Sequence, residues 1–275
     1  MKLSFNSFAY SSYPIWIPAY PIDYVINNLA KIGYDGIELG CVSPTAFPPY
    51  VTNEDRKRIN GLLKENNIKI SSVLPVPGGT GCGMNVSSPI KAERLHAIQN
   101  YKDAIDLAYD LGGGGKVCLY IAGWIIWGVD QDQAWEWSKE CLIEIAQHAK
   151  QKEIIMAIEP TPTVTNLIET ADDALKLMKE VKMDNVKVMF DTIHACYRGE
   201  VLTDQVDIMG PNLVNIHISD IDRTPPGTHN NFKSFIEALK SINYEGCLTI
   251  EGGFIGRKDP NGFALKSYEY MKKIM

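Results

Sequence analysis

The sequence predicts an α/β protein built as a single (β/α)8 TIM barrel over residues 1–275. Three observations carry that expectation. Eight short apolar runs alternate with eight longer amphipathic segments. No linker, low-complexity stretch or break in composition divides them. The length of 275 residues is close to the roughly 250 of one such barrel, and it suffices to bury one large core.

The elements follow in order. A strand over 2–5 leads to a helix over 22–32, after which Gly33 stands where a left-handed C-cap belongs. A strand over 36–39 precedes a helix over 53–66 that Thr52 or Asn53 can cap. Strands over 69–73, 116–121 and 154–158 are followed by helices over 90–110, 131–151 and 170–181. The strand over 187–190 is followed by a weaker helical pattern at 203–209. Those over 213–216 and 248–250 lead to helices over 232–242 and 262–274. Strand–helix–strand units cross over right-handedly into a parallel sheet, and eight without interruption imply closure. An open doubly wound sheet would place a glycine-rich phosphate loop after the first strand. Here that strand runs into Asn6-Ser7-Phe8-Ala9-Tyr10, which contains no glycine. The glycines at 112–115 lie between a helix and a strand, where a C-cap and tight turn account for them.

Composition excludes several classes. The net charge of −6 argues against a nucleic-acid surface, which needs a basic patch. Six cysteines at 41, 82, 118, 141, 196 and 247 form no CxxC pair, so they read as reduced, mostly buried side chains. The first sixteen residues do not resemble a signal peptide, and no run approaches the ~20 apolar residues that span a bilayer. A cytoplasmic protein without membrane partners is expected.

The chemistry lies at the ends of the last four strands. Glu159, Asp191, His217 and Glu251 each follow an apolar run, at intervals of 32, 26 and 34 residues. Each interval is about one βα unit, so neighbouring strands deliver four ligand-type side chains to the C-terminal mouth, where barrel enzymes place their sites. Three carboxylates and one imidazole form a hard, oxygen-rich set. Crowded together the carboxylates repel one another, and a divalent cation relieves that repulsion. Mn²⁺ is the first choice, with Mg²⁺ and Co²⁺ as alternatives. A charged residue after one strand is ordinarily a loop residue or a cap; four in register are not explained that way.

These motifs resemble the xylose isomerase-like sugar isomerase/epimerase superfamily, and within it the ketose 3-epimerases of the tagatose/psicose and fructoselysine type. The likeness covers essentially the whole chain and is strongest from Ala157 onward; Tyr34-Asp35-Gly36-Ile37-Glu38 also resembles the family's second strand. It implies that Glu159, Asp191, His217 and Glu251 bind the metal and that the two glutamates form the acid/base pair. It further implies that His194 contacts the substrate and that Arg223 grips a sugar oxygen. Pro225-Pro226-Gly227 before Phe232 resembles the family's Pro-Gly loop. Two positions depart: Thr165 stands where the ketose epimerases carry a second glutamate, and His229 where the loop continues with glycine.

The reaction implied is 3-epimerisation of an unphosphorylated ketose through a cis-enediolate, one glutamate removing the C3 proton and the other returning one to the far face. Trp124 and Trp127, after the fourth strand, suit an apolar wall against the sugar or plain packing. The aromatic loop from Phe8 to Tyr20 suits a lid or a subunit contact, Trp135 suits the core, and His96 and His148 suit helix surfaces. Asp220 and Asp222 suit either support of His217 or Arg223, or exposed loop positions. A metal-dependent dehydratase or lyase on a keto-sugar or keto-inositol would use the same parts. An endonuclease-IV-type DNA repair enzyme would need a larger histidine cluster than five histidines supply. The partner expected is a small sugar, with a homodimer or homotetramer implied by the resemblance.

Overall fold

Eight strands close into a barrel: β1 (Lys2–Asn6), β2 (Gly36–Gly40), β3 (Lys69–Leu74), β4 (Val117–Tyr120), β5 (Ile155–Ile158), β6 (Val186–Asp191), β7 (Leu213–Ile218) and β8 (Cys247–Ile250). Each pairs in parallel with its sequence neighbours, and β8 returns to β1. The computed structural model describes residues 1–11, 19–43, 45–75, 84–112, 116–162, 164–252 and 259–275. Tyr13, Trp16, Cys82, Gly253 and the glycines at 113–115 therefore lie outside the described residues.

The helices surround the barrel: α1 (Ile22–Ile32), α2 (Asn53–Glu65), α3 (Lys91–Asp110), α4 (Gln131–Lys150), α5 (Ala171–Val181), α6 (Thr192–Tyr197), α7 (Leu202–Met209), α8 (Lys233–Ser241) and α9 (Pro260–Ile274). Local chemistry sets their ends. Thr52 and Thr170 each form a reciprocal capping box, with Asp55 and Asp173 respectively. Gly33 ends α1 at φ +112°, a conformation that costs a glycine little. The unpredicted helix is α6, six residues whose first turn is capped by Asp191 itself.

Strand alternation divides the interior into two layers. Residues such as Phe5, Ile37, Leu39, Tyr120, Ile158, Phe190, Ile216 and Ile250 face outward and join the helices in the main core. Leu74, Leu119, Ala157 and Met189 form a separate small apolar cluster. Ala157 and Met189 precede Glu159 and Asp191 by two residues, so that cluster lies on the barrel's inner side.

Every strand shifts by one or two residues at its ends from the expected range, and two of the shifts bear on the site. The ladder extends β6 through Asp191 and β7 through Ile218, because Asp191 pairs with His217 and His217 with Thr249. His217 is thus inside its strand rather than after it. The segment after β1 begins as a 3-10 turn, Ser7–Tyr10, in which Phe8 and Tyr10 are buried; the rest of that loop, 12–18, lies outside the described residues. Trp135 is buried as expected, and among the described residues five cysteines are free, three of them buried. Among the described residues no helix is long and apolar enough to cross a membrane.

Candidate metal centre and active site

Four elements bring one side chain each to the mouth. Glu159 follows β5 directly, its backbone N–H donating to the Tyr120 carbonyl at 3.0 Å, so the ladder fixes where its side chain starts. Asp191 closes β6, and its Oδ1 accepts from the Ile193 N–H at 3.0 Å, leaving Oδ2 to face the centre. His217 projects from β7, and Glu251 follows β8 with its N–H bonded to the Ile218 carbonyl at 3.2 Å. All four are buried, from 0% exposure at Asp191 to 6% at Glu251. One ligand atom from each of Asp191, His217 and Glu251 lies within 4.8 Å of the others, and Glu159, Asp191 and His194 form a second such group. His217 Nδ1 stands 3.1 Å from Glu251 Oε2 and 3.7 Å from Glu159 Oε1. The sequence-derived set of four is therefore brought to one place.

The two remaining polar residues singled out by the sequence join it. His194, on α6, is 5% exposed. Arg223 reaches in from the segment after β7, its Nη1 contacting Asp191 Oδ2 at 2.6 Å and Glu251 Oε2 in a charged hydrogen bond. Asp222 and Arg223 both hold positive φ, +57° and +54°, an unfavourable pair for non-glycine residues. Asp220 braces this segment: wholly buried, it accepts from the N–H groups of His229 and Asn230 at 2.7 and 2.9 Å and from Asn230 Nδ2 at 2.6 Å. Asp220 thus ties down the loop that carries Arg223, while the His229 ring itself is exposed.

The tryptophans separate. Trp124 is half-buried, and its backbone is clamped by Asn85, whose Oδ1 accepts from Trp124 N at 3.1 Å and whose Nδ2 donates to Trp124 O at 2.8 Å. The clamp needs Gly123, at φ +87°, because a Cβ there would lie 2.4 Å from Asn85 Oδ1. Trp127 stands fully in solvent. Thr165 turns back on its own loop, sharing a 2.7 Å hydroxyl–hydroxyl hydrogen bond with Thr161. His148 pairs with Asp106 at 2.8 Å and His96 is exposed on α3, so neither reaches the mouth.

Electrostatics distinguishes the acids. Burial, the largest influence, pushes Glu159 up to about 8, with His217 opposing and Glu251 and Asp191 adding to the rise. Burial also raises Asp191, to about 6, against the pull of Arg223. At Glu251 burial is outweighed by Arg223 and His217, which hold the carboxyl below its ordinary value. Burial opposes the charge on His217, but Glu38 and Glu251 raise its pKa well above the usual imidazole value. His194 falls to about 3, chiefly through burial and then through Arg223.

The donor set fits a hard divalent cation. Asp191 Oδ2, His217 Nδ1 and His194 Nδ1 are buried polar atoms without a hydrogen-bond partner among the described residues, an arrangement that ordinarily costs stability. The Arg223–Asp191 and His217–Glu251 contacts are close enough for ion pairing but are not aligned as hydrogen bonds. Atoms left this way, beside three carboxylates, suit a metal ion, with oxygen ligands favouring Mn²⁺, Mg²⁺ or Co²⁺.

Sequence reasoning assigned no role to Glu38. This fully buried residue of β2 touches His217 Nε2 at 2.7 Å. Its signal was a carboxylate set between Ile37 and Leu39 in an otherwise apolar strand.

Comparison with known proteins places this geometry. The family model described as "Xylose isomerase-like TIM barrel" matches residues 26–274, and the chain belongs to that family. A D-psicose 3-epimerase of Ruminiclostridium cellulolyticum is 28% identical over 256 residues, covering 89% of this chain and 85% of that protein. A fructoselysine 3-epimerase of Shigella flexneri is 24% identical over 263 residues, covering 93% and 94%. Among solved structures, D-psicose 3-epimerase with D-tagatose from Clostridium cellulolyticum superposes with a TM-score of 0.83 at 23% identity, over 99% of this chain and 98% of that one.

Proposed function

We propose that this member of the xylose isomerase-like TIM-barrel family is a divalent-metal-dependent sugar epimerase that inverts C3 of an unphosphorylated ketose. One observation carries the reading. Glu159 and Glu251 reach the same buried centre from β5 and β8, strands that are not neighbours, with the metal-ligand types Asp191 and His217 on β6 and β7 between them. The relatives named 3-epimerases, matched over most of their length, support the same chemistry.

Glu159, Asp191, His217 and Glu251 would hold the cation, Mn²⁺ in the first instance. When bound, it polarises the C2 carbonyl and stabilises negative charge on the sugar oxygens. The chain's own residues do the rest. One glutamate takes the C3 proton, leaving an enediolate, and the other delivers a proton to the opposite face, so C3 inverts and the proton count balances. Reversal of the reaction exchanges their roles. Arg223, carried on the loop that Asp220 ties down and bonded to Glu251, would grip a sugar oxygen through its guanidinium. His194, kept neutral by burial, is suited to hydrogen-bond a hydroxyl without adding charge. Trp124, held by the Asn85 clamp, supplies an apolar wall.

Thr165, bonded to Thr161 rather than turned outward, favours a second reading, in which the far end of the substrate differs from that of a simple ketohexose. In that case the same proton abstraction is followed by loss of a β-hydroxyl from a keto-sugar or keto-inositol.

Deuterium exchange decides between them. Metal-stripped protein is reloaded with Mn²⁺, Mg²⁺ or Co²⁺ and incubated in D₂O with a panel of ketohexoses and keto-inositols. Metal-dependent deuterium entry at C3 with an epimeric product, abolished in both Glu159→Gln and Glu251→Gln, is the expected result. A dehydrated product assigns the lyase. No exchange with any substrate, by protein holding one tight metal, contradicts the proposed substrate class.

A further inference from the structure

Glu38 is a wholly buried carboxylate that neither the proposed ligand set nor the proton transfer uses. Alternation turns it to the inside of the barrel while Ile37 and Leu39 face the helices. Its two oxygens meet four groups from three other strands. Oε1 lies 2.8 Å from Asn6 Nδ2 and 2.7 Å from His217 Nε2. Oε2 lies 2.6 Å from Ser72 Oγ and 3.2 Å from Asn215 Nδ2. Asn6 cannot present its other face, because its Oδ1 already accepts from the Phe8 N–H at 2.8 Å. Its NH₂ therefore donates to Glu38 Oε1, and that oxygen is an acceptor.

An acceptor at Oε1 assigns the proton of the facing imidazole nitrogen to Nε2. A neutral imidazole has one lone pair, and the hydrogen bond at one nitrogen decides which nitrogen carries it. In the neutral ring that would bind a cation the lone pair then falls on Nδ1, the atom without a hydrogen-bond partner that faces Glu251 and Glu159. We propose that Glu38 is a positioning residue for the metal centre: it holds the His217 ring in the Nε2–H tautomer and in the rotation that presents Nδ1 to the cation. Asn6, Ser72 and Asn215 in turn hold Glu38. A carboxylate behind a ligating imidazole fixes its orientation and raises its basicity, and loss of such a partner costs 10–100-fold in metal affinity. The inference rests on the metal reading of the site.

Glu38→Gln is nearly isosteric. Its carbonyl can still face His217 and Asn6, and its amide can face the Ser72 hydroxyl and a turned Asn215, so the fold is kept while the negative charge that raises the basicity of the His217 ring is lost. Mn²⁺ affinity of the full chain is measured by chelator competition, with free Mn²⁺ followed by EPR, and unfolding is followed on metal-free protein. Glu38→Gln is expected to weaken Mn²⁺ binding by about 10–100-fold while remaining folded. Ser72→Ala, which leaves the His217 contact intact, is expected to stay within about threefold, well below that loss. In wild type loaded with Mg²⁺, imidazole ¹⁵N NMR is expected to place the His217 proton on Nε2, a readout that also decides the matter should the variant fail to fold. Folded Glu38→Gln binding Mn²⁺ as tightly as wild type, or a His217 proton found on Nδ1, overturns the inference. Wild type that binds no divalent cation overturns the metal reading itself, and this inference with it.

Discussion

Glu159 and Glu251 close the same mouth, yet the two sides of the barrel treat them oppositely. On the β5 side the inner layer is apolar, with Ala157 packed among Leu74, Leu119 and Met189. On the β8 side it is polar: Asn6 Nδ2 stands 3.5 Å from Glu251, and Glu38, Asn215 and His217 continue the network. Burial raises Glu159 to about 8, whereas Arg223 and His217 overcome burial at Glu251 and keep it charged. Residue type is identical; surroundings decide which carboxyl prefers its proton. Pairs of acids whose environments separate them are suited to giving and taking a proton in one reaction.

Substitution of each acid breaks the pair at its strongest point. Glu159→Gln and Glu251→Gln should each slow C3 exchange by about 10²–10⁴-fold, measured by NMR at saturating metal. Stability should then separate them. Glu251→Gln strips a charged partner from Arg223 and His217, and denaturant unfolding of the metal-free protein should lose ~3–5 kcal/mol. Glu159→Gln removes an acid that burial already disfavours as an anion, and should unfold no more easily than wild type. Equal losses in the two variants would contradict the asymmetry.

Arg223 is what makes the β8 side charged. Arg223→Ala removes the guanidinium from Asp191 and Glu251, leaving His217 beside them, and should lower metal-free stability by ~3 kcal/mol, with added Mn²⁺ recovering much of it.

The pH dependence sharpens the contrast next. Glu159, raised from 4.5 to about 8, contributes stability that is full below 4.5 and lost as pH rises through about 8. His217, also raised, acts in the same direction above 6.5. Asp191, raised to about 6, has lost its contribution by then, and the contribution of His194, lowered to about 3, is already complete above 6.5. Between pH 6.5 and 8, metal-free protein should therefore become less stable. Stabilisation by Mn²⁺ should be larger at pH 8 than at pH 6.5, because binding displaces protons from the ligands. Thermal unfolding with and without metal at the two pH values checks both.

The smallest effect concerns the rim. Trp124→Ala should raise KM by roughly tenfold, equivalent to about 1.4 kcal/mol, while Trp127→Ala, whose ring is wholly exposed, should change it little.

The four candidate ligands were legible because a βα unit repeats at a near-constant length, which puts Glu159, Asp191, His217 and Glu251 at successive strand ends in the sequence. What supports them was not. Glu38 and His217 are 179 positions apart and meet only when the ring closes. Asn215 read as a polar interruption of an apolar run, although it shares the face of His217 two residues on. Helix α6 is not legible because six residues carry too little periodicity, and its N-cap is Asp191, which reads in sequence as a candidate ligand. Arg223 was visible as a residue, but the positive-φ backbone that aims it, and the Asp220 brace behind it, follow only from the folded loop.

The proposed chemistry requires one divalent cation among Glu159, Asp191, His217 and Glu251. Anomalous diffraction from a crystal soaked in Mn²⁺ tests it most directly. A single strong peak bonded to His217 Nδ1 and to oxygens of the three carboxylates is expected. A peak elsewhere, or none at a concentration that saturates exchange activity, would contradict it.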